Sequence, residues 1–306
     1  MSGELNPPII LFGNFRSGTT MLHKLISLHP DVVPLYEPVS LWLSADPKRS
    51  HDEFEEKDAT DQVKRYIRNK FLSYQQQHGN RIIVEKTPHN ILRIPYVRAI
   101  FPEARFLYIV RNPLSFVSSV ELKWQKPASR KRIVKRLKFT PVAQVHHYLK
   151  RFLSQLWNNR IMRRKYLSIW GPRYKGIQED LKTEDLMVVI ARQWSRSSSK
   201  AERDLALFED GQVLRLRYED FVQHPVSDME RICAHCSLQM TSDMANTVKE
   251  MVKTDRNLKW QRFETPVLAQ IIPELYDEME RHGYEIPAEI AQVIKTDRYV
   301  SVGQLI

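Results

Sequence analysis

An α/β fold, with a central parallel sheet flanked by helices, is what the sequence predicts. Three observations carry that prediction. Short apolar runs recur along the first third of the chain, and each is followed by a stretch with helical spacing. The first run ends in a turn, Gly13-Asn14-Phe15-Arg16-Ser17-Gly18, of the kind that joins a strand to a helix. The composition, 306 residues with 42% apolar and 27% charged, is that of a globular chain large enough for a substantial core.

Residues 9–13 (IILFG) read as the first strand. In the following stretch Met21, Leu22, Leu25, Ile26 and Leu28 recur at helical spacing. Residues 61–78 are helical in composition. Residues 81–84 (RIIV) read as a second strand closed by Glu85-Lys86-Thr87-Pro88, with a helix over 90–101. Residues 105–110 (RFLYIV) make a third strand, and Pro113 suits the first position of the next helix. Strands that are apolar on both faces and alternate with helices argue for a parallel sheet covered on both sides. Further on, 142–167 carry a helical stripe, 181–208 an amphipathic helix, 212–217 a fourth strand and 274–282 a helix. No repeat or low-complexity linker interrupts the chain, so residues 1–306 read as one domain.

Charge is the unusual feature. The chain carries +11, but unevenly. Residues 122–178 hold sixteen of the 47 Lys and Arg and none of the 36 Asp and Glu. That segment is therefore +16 and the remainder −5. This is a basic helical insertion on a mildly acidic body, which argues against general nucleic-acid binding and for a local anion-facing element. The apolar runs are of strand length, short of the ~20 residues of a membrane helix. The N-terminus lacks the pattern of a signal peptide, and two cysteines fit a reducing compartment. A cytoplasmic location is expected, with peripheral contact to an anionic membrane through 122–178 as an added expectation.

The turn after the first strand fits G-x4-G followed by Thr19-Thr20. Backbone N–H groups there and at the helix N-terminus attract oxyanions. Thr19 stands where a kinase phosphate loop has lysine, and the third strand leads into Arg111 rather than aspartate. The equipment for Mg²⁺ and ATP is missing, and no metal is expected.

With these residues the chain resembles the sulfotransferases that use 3′-phosphoadenosine 5′-phosphosulfate (PAPS). Arg16-Ser17-Gly18-Thr19-Thr20 is similar to the family's phosphosulfate loop. Arg111-Asn112-Pro113 with Ser119 is similar to its 3′-phosphate site. Glu37, in Tyr-Glu-Pro after the first helix, stands where the branch with tyrosylprotein, bacterial and carbohydrate enzymes carries a catalytic carboxylate. Glu85-Lys86-Thr87-Pro88 is similar to that branch's lysine motif. Arg217-Tyr218-Glu219-Asp220 and Asn257-Leu258-Lys259-Trp260 are similar to later segments near the adenine and the 3′-phosphate. The resemblance implies a P-loop-like three-layer fold and PAPS as donor, leaving adenosine 3′,5′-bisphosphate (PAP). It implies Glu37 as base, with Lys86 and Arg16 on the transferring group. Ser17, Gly18, Thr19, Thr20, Arg111, Ser119, Tyr218 and Lys259 would bind the nucleotide. Tyr218 reads equally as a core residue. His89 is the rival base. The cytosolic small-molecule branch has Lys at the Arg16 position and a catalytic His, so an acceptor hydroxyl on a glycan or glycolipid is expected rather than a free phenol.

Alternative readings are transfer to protein tyrosine, a P-loop kinase or hydrolase, and a membrane- or nucleic-acid-binding protein built on 122–178. Three smaller features complete the reading. Cys233-Ala234-His235-Cys236 lacks a second pair for zinc and reads as helix thiols. Residues 195–200 read as a polar helix face. Residues 170–176 (WGPRYKG) fit either a sugar- or anion-binding element or a rigid connector.

Overall fold

The structure is a computed structural model and describes residues 4–124, 171–252, 259–288 and 291. Its centre is a five-stranded, wholly parallel sheet in the order β2-β3-β1-β4-β5. The strands are β1 (Ile9–Gly13), β2 (Val32–Tyr36), β3 (Ile82–Lys86), β4 (Arg105–Val110) and β5 (Val213–Arg217). Successive side chains of a strand point to opposite faces. Ile10 and Phe12 accordingly join one core, with Val33, Leu35, Ile83, Phe106 and Tyr108. Ile9 and Leu11 join the other, with Val32, Val84, Leu107 and Ile109. Burial on both faces is what makes these runs apolar throughout.

Against the first face lie α2 (Val39–Trp42), α3 (Asp61–Gln77), α4 (Ile94–Ile100), α5 (Pro113–Trp124), α6 (Ile177–Thr183), α7 (Leu186–Leu205) and, further along the chain, Thr265–Arg281. Against the second lie α1 (Thr19–Ile26), α8 (Tyr218–Gln223), α9 (Pro225–His235) and α10 (Ser242–Met251). The helix Thr265–Arg281 is α11 and packs along α7.

Several expected elements are placed differently. Strand β2 is absent from the sequence reading because Pro34 interrupts its apolar run. Proline has no N–H for an inner ladder and is tolerated at a sheet edge, where β2 lies. The expected helix over 90–101 is a 3-10 turn, Pro88–Leu92, followed by α4. The expected helix over 181–208 is two helices, because Asp185 ends one run and caps the next by accepting from the Met187 amide. The C-terminal helix starts nine residues before the expected 274, with Pro266 in its first turn. Most of the basic insertion, including the helical stripe of 142–167, lies outside the described residues.

Residues 195–200 are not a solvent-facing stretch. Ser197 and Ser198 are fully buried, and Ser198 Oγ accepts from Asn14 Nδ2 at 3.1 Å. Cys233 and Cys236 are buried in the second core, which pushes their thiols up to about 11 and about 12.

Register aligns the strand ends. Gly13 pairs with Ile109, Tyr36 with Lys86, and Val110 with Arg217. From β1 the chain crosses to one side of the sheet, and from β4 to the other. The carboxyl ends of β1 and β4 therefore flank the switch point where open α/β sheets bind ligands.

Candidate active site

The turn after β1 is tight. A Cβ on Gly13 would lie 2.6 Å from the Ile109 carbonyl oxygen, so only glycine lets the end of β1 close on β4. The Ser17 amide donates to the Asn14 carbonyl at 3.1 Å. Gly18 sits at φ +89°, and a Cβ there would lie 2.4 Å from the Tyr218 ring. Arg16, at φ +67°, adopts the left-handed region without being glycine. Such backbone costs of order 1–2 kcal/mol and persists where surrounding structure enforces it. Ser17 is fully buried, and its Oγ has no hydrogen-bond partner among the described residues. Thr19 is buried and Thr20 half-buried at the first turn of α1. An orphan hydroxyl beside a helix N-terminus fits an oxyanion such as a phosphosulfate.

Two arginines meet at this turn from distant parts of the chain. Arg16 Nε donates to Ser119 Oγ on α5 at 2.9 Å. Arg111, just after β4, donates from Nη1 to the Arg16 carbonyl at 2.8 Å, and its guanidinium lies 4.4 Å from the centre of the Tyr218 ring. Burial pulls Arg111 below its usual value, a cost that an anion at this place would offset. Glu219 holds the neighbouring backbone by accepting from the Asn112 amide at 3.1 Å and from the Tyr284 hydroxyl at 3.1 Å. Lys259 is exposed on the turn Lys259–Arg262, which packs on α5 and is tied there by Arg262 to Glu121 at 2.6 Å.

The second part of the site lies at the ends of β2 and β3. Lys86 Nζ donates to Glu37 Oε1 at 2.7 Å. The lysine side chain is 2% exposed and the glutamate 23%, so Glu37 is the member open to solvent. The Glu37 amide also donates to the Lys86 carbonyl at 3.2 Å. Glu37 lies at φ +49°, a second non-glycine residue in the left-handed region. Lys86 Nζ sits 4.6 Å from the centre of the Tyr36 ring, and His23 packs edge-on to that ring. Burial, with Lys86 adding, pushes His23 down to about 4. Its Nε2 lies 3.1 Å from the Val84 carbonyl, which accepts from that nitrogen when it carries the ring proton.

His89 belongs to a different cluster. Asp52 pairs with Arg173 at 2.7 Å, deep in the protein. Burial alone would raise that carboxyl; Arg173, with His89 and Arg93 adding, outweighs burial and holds it well below the usual carboxylate range. Residues 171–176 are tied into the body of the protein. Gly171 lies against the Phe15 ring, where a Cβ would come within 2.2 Å. Arg173 is spent on Asp52, and the Tyr174 hydroxyl donates to Asp180 at 2.5 Å.

Sequence motifs pointed to Glu37 and Lys86, which the structure brings together, but not to His23, Tyr284 or the Asp52–Arg173 pair. Those carry no motif, and only their burial marks them. At its strand ends the parallel α/β sheet thus gathers a G-x4-G turn, two arginines and a lysine–carboxylate pair, an arrangement that suits an anionic ligand. The family model described as the sulfotransferase family matches residues 7–170 and 158–243, and the chain belongs to that family. This membership sets the chain apart from the P-loop kinases. Nodulation protein NoeE of Sinorhizobium fredii (strain NBRC 101917 / NGR234) is 30% identical over 145 residues, which is 42% of this chain. The match spans about a third (35%) of that relative's length. Among solved structures, the sulfotransferase domain from the curacin biosynthetic pathway is similar over 93% of this chain and 100% of that one, with a TM-score of 0.55 and 16% identity. The sulfotransferase domain from the Synechococcus PCC 7002 olefin synthase covers 92% and 96%, with a TM-score of 0.51 and 14% identity. At these identities the two structures are similar in fold. No helix among the described residues is long and apolar enough to cross a membrane.

Proposed function

We propose that this protein transfers the sulfuryl group of PAPS to a hydroxyl of a glycan or glycolipid. The observation that carries the reading is the 2.7 Å pair of Lys86 and Glu37 at the strand ends of the sheet that bears the phosphate-type turn. In this reading the loop amides, Ser17, Thr19, Thr20 and Arg16 hold the phosphosulfate end of PAPS. Arg111 and Ser119 hold its 3′-phosphate, Tyr218 stands near the adenine, and Lys259 adds charge from the side of α5. The Arg16–Ser119 bond makes the two anion subsites contiguous.

The reaction is an in-line displacement at sulfur. The acceptor oxygen forms a new S–O bond, the S–O bond to the 5′-phosphate breaks, and PAP leaves with that electron pair. Glu37 takes the acceptor's proton, for which its partial exposure suits it. Lys86 and Arg16 stabilise charge developing on the transferring group and the leaving oxygen, and the burial of Lys86 strengthens its effect. No metal is required by this scheme. What supports a glycan or glycolipid acceptor is the resemblance to the glutamate-base branch together with the +16 segment, which suits an anionic acceptor or membrane surface.

Saturating PAP should raise the melting temperature, and no shift would overturn the reading. Arg111→Ala should weaken PAP far more than adenosine 5′-phosphosulfate, which lacks the 3′-phosphate; equal loss for both would remove Arg111 from that role. A labelled-PAPS screen over glycans, glycolipids, tyrosine peptides and phenols would identify the acceptor, with labelled tyrosine peptides alone favouring the tyrosylprotein reading.

A further inference from the structure

The carboxylate beside Lys86 has no part in the scheme above. Glu85 is fully buried and, by strand alternation, points to the opposite face of the sheet from Lys86. Donors from three segments converge on it. Trp42 Nε1 on α2 donates to Oε1 at 3.2 Å, Thr87 Oγ1 donates to Oε1 at 2.5 Å, and Asn90 Nδ2 on the 3-10 turn donates to Oε2 at 3.2 Å. Asn90 Oδ1 in turn accepts from Arg93 Nε at 2.9 Å.

The placement of these donors matters. Helix α2 begins two residues after Glu37, while Thr87 directly follows Lys86. One carboxylate therefore ties the helix after Glu37 to the strand end that bears Lys86. Packing alone does not call for it, because an apolar side chain fills a core without the cost of a buried carboxylate. The Glu37 backbone is held in a left-handed turn bonded to the Lys86 carbonyl, so both partners of the 2.7 Å pair depend on how these two segments are pinned.

We propose that Glu85 is a positioning residue: through Trp42, Thr87 and Asn90 it sets the placement of Lys86 against Glu37, and with it the rate of sulfuryl transfer. This inference rests on the reading of Lys86 and Glu37 given above.

The test is single-turnover release of labelled sulfate from PAPS, with protein in excess and water as acceptor. PAP affinity is measured alongside by calorimetry. Glu85→Gln keeps the shape and replaces a carboxyl oxygen by an amide group that can only donate. It should keep PAP affinity within about twofold and slow release at least tenfold. Thr87→Val should do the same, and Thr87→Ser, which restores the hydroxyl, should recover the rate. In the protein without PAPS, the ¹³Cε resonance of Lys86, assigned by its loss in Lys86→Arg, should move in Glu85→Gln and Thr87→Val and return in Thr87→Ser. Wild-type rates and resonances in both altered proteins would overturn the proposal. If Glu85→Gln fails to bind PAP, the Thr87 pair decides by the same criteria. Lys86→Ala separates the two ideas. A wild-type rate there would fail the functional reading, whereas a slow Lys86→Ala beside a fast Glu85→Gln and Thr87→Val would fail this inference alone.

Discussion

Lys86 and Glu37 are 49 residues apart in the chain, yet their side chains meet at 2.7 Å. Their exposures differ tenfold, and this divides the roles. In the proposed scheme the buried lysine faces the transferring group, and the more exposed glutamate faces a solvent-side hydroxyl. Glu37→Gln keeps the shape and removes the base. Turnover should fall by ~10²–10⁴ while PAP binding persists, as rate and calorimetric measurements on one preparation would show. His23 beneath the pair gives a second prediction at this scale. Its folded value of about 4 lies below the ordinary 6.5, so between these values the unfolded chain binds the proton and the folded one does not. Stability from this group is full above pH 6.5 and is lost as pH falls towards 4, by roughly 3 kcal/mol at most. Glu85 has the opposite slope. Burial pushes it up to about 7 against an ordinary 4.5, so its effect opposes that of His23 in the overlapping range. A comparison with His23→Gln, whose amide can still donate to Val84, isolates the histidine. The stability difference between wild type and variant should shift between pH 6.5 and 4 in urea titrations, and a constant difference would contradict the assignment.

At the scale of elements, strand ends and short connectors build the site. The polar residues that do so were readable where a motif names them: Arg16, Lys86 and Arg111 each follow or close an apolar run. Strand β2 was not readable, because edge position excuses a proline that an inner strand would reject. Nor were Ser197 and Ser198, since small hydroxyl side chains look alike on a solvent face and under a loop. Here they are buried, with Ser198 bonded to Asn14. The segment 171–176 illustrates the same point. Its aromatic and cationic residues suit a ligand site as sequence, but Arg173 is locked to Asp52 and Gly171 to Phe15. Asp52→Asn would leave Arg173 buried without its counter-charge. That should cost about 3–5 kcal/mol in chemical denaturation. A change below about 1 kcal/mol would show that water, not the ion pair, satisfies the arginine.

For the whole molecule, described residues on either side of the stretch 125–170 meet the turn after β1. On one side α5 carries Ser119, bonded to Arg16; on the other, Gly171 packs on Phe15. The chain thus leaves the site as α5 and returns to it at 171, with the greater part of the +16 charge between. The proposed donor-binding cations Arg16, Lys86, Arg111 and Lys259 lie outside that stretch. Replacing the six Lys and Arg of 130–138 by Gln should therefore leave PAP affinity unchanged. It should weaken use of an anionic acceptor or binding to anionic vesicles, with a shallower salt dependence. Loss of PAP binding in the folded variant would refute that division of labour.

By itself the sequence determined the alternation of strand and helix, the glycine-framed turn after the first strand and the uneven charge. These are local properties: period, turn chemistry and net charge are written in contiguous residues. Only the tertiary structure decided which charges face one another. The Lys86–Glu37 pair, the Glu85 anchor and the Asp52–Arg173 lock each join segments far apart in the chain. The first two depend on strand order and register, which bring the ends of β2 and β3 together, and the third on how two connecting segments pack. Burial, which pulls His23 down and pushes Glu85 up, likewise exists only once both faces of that sheet are covered.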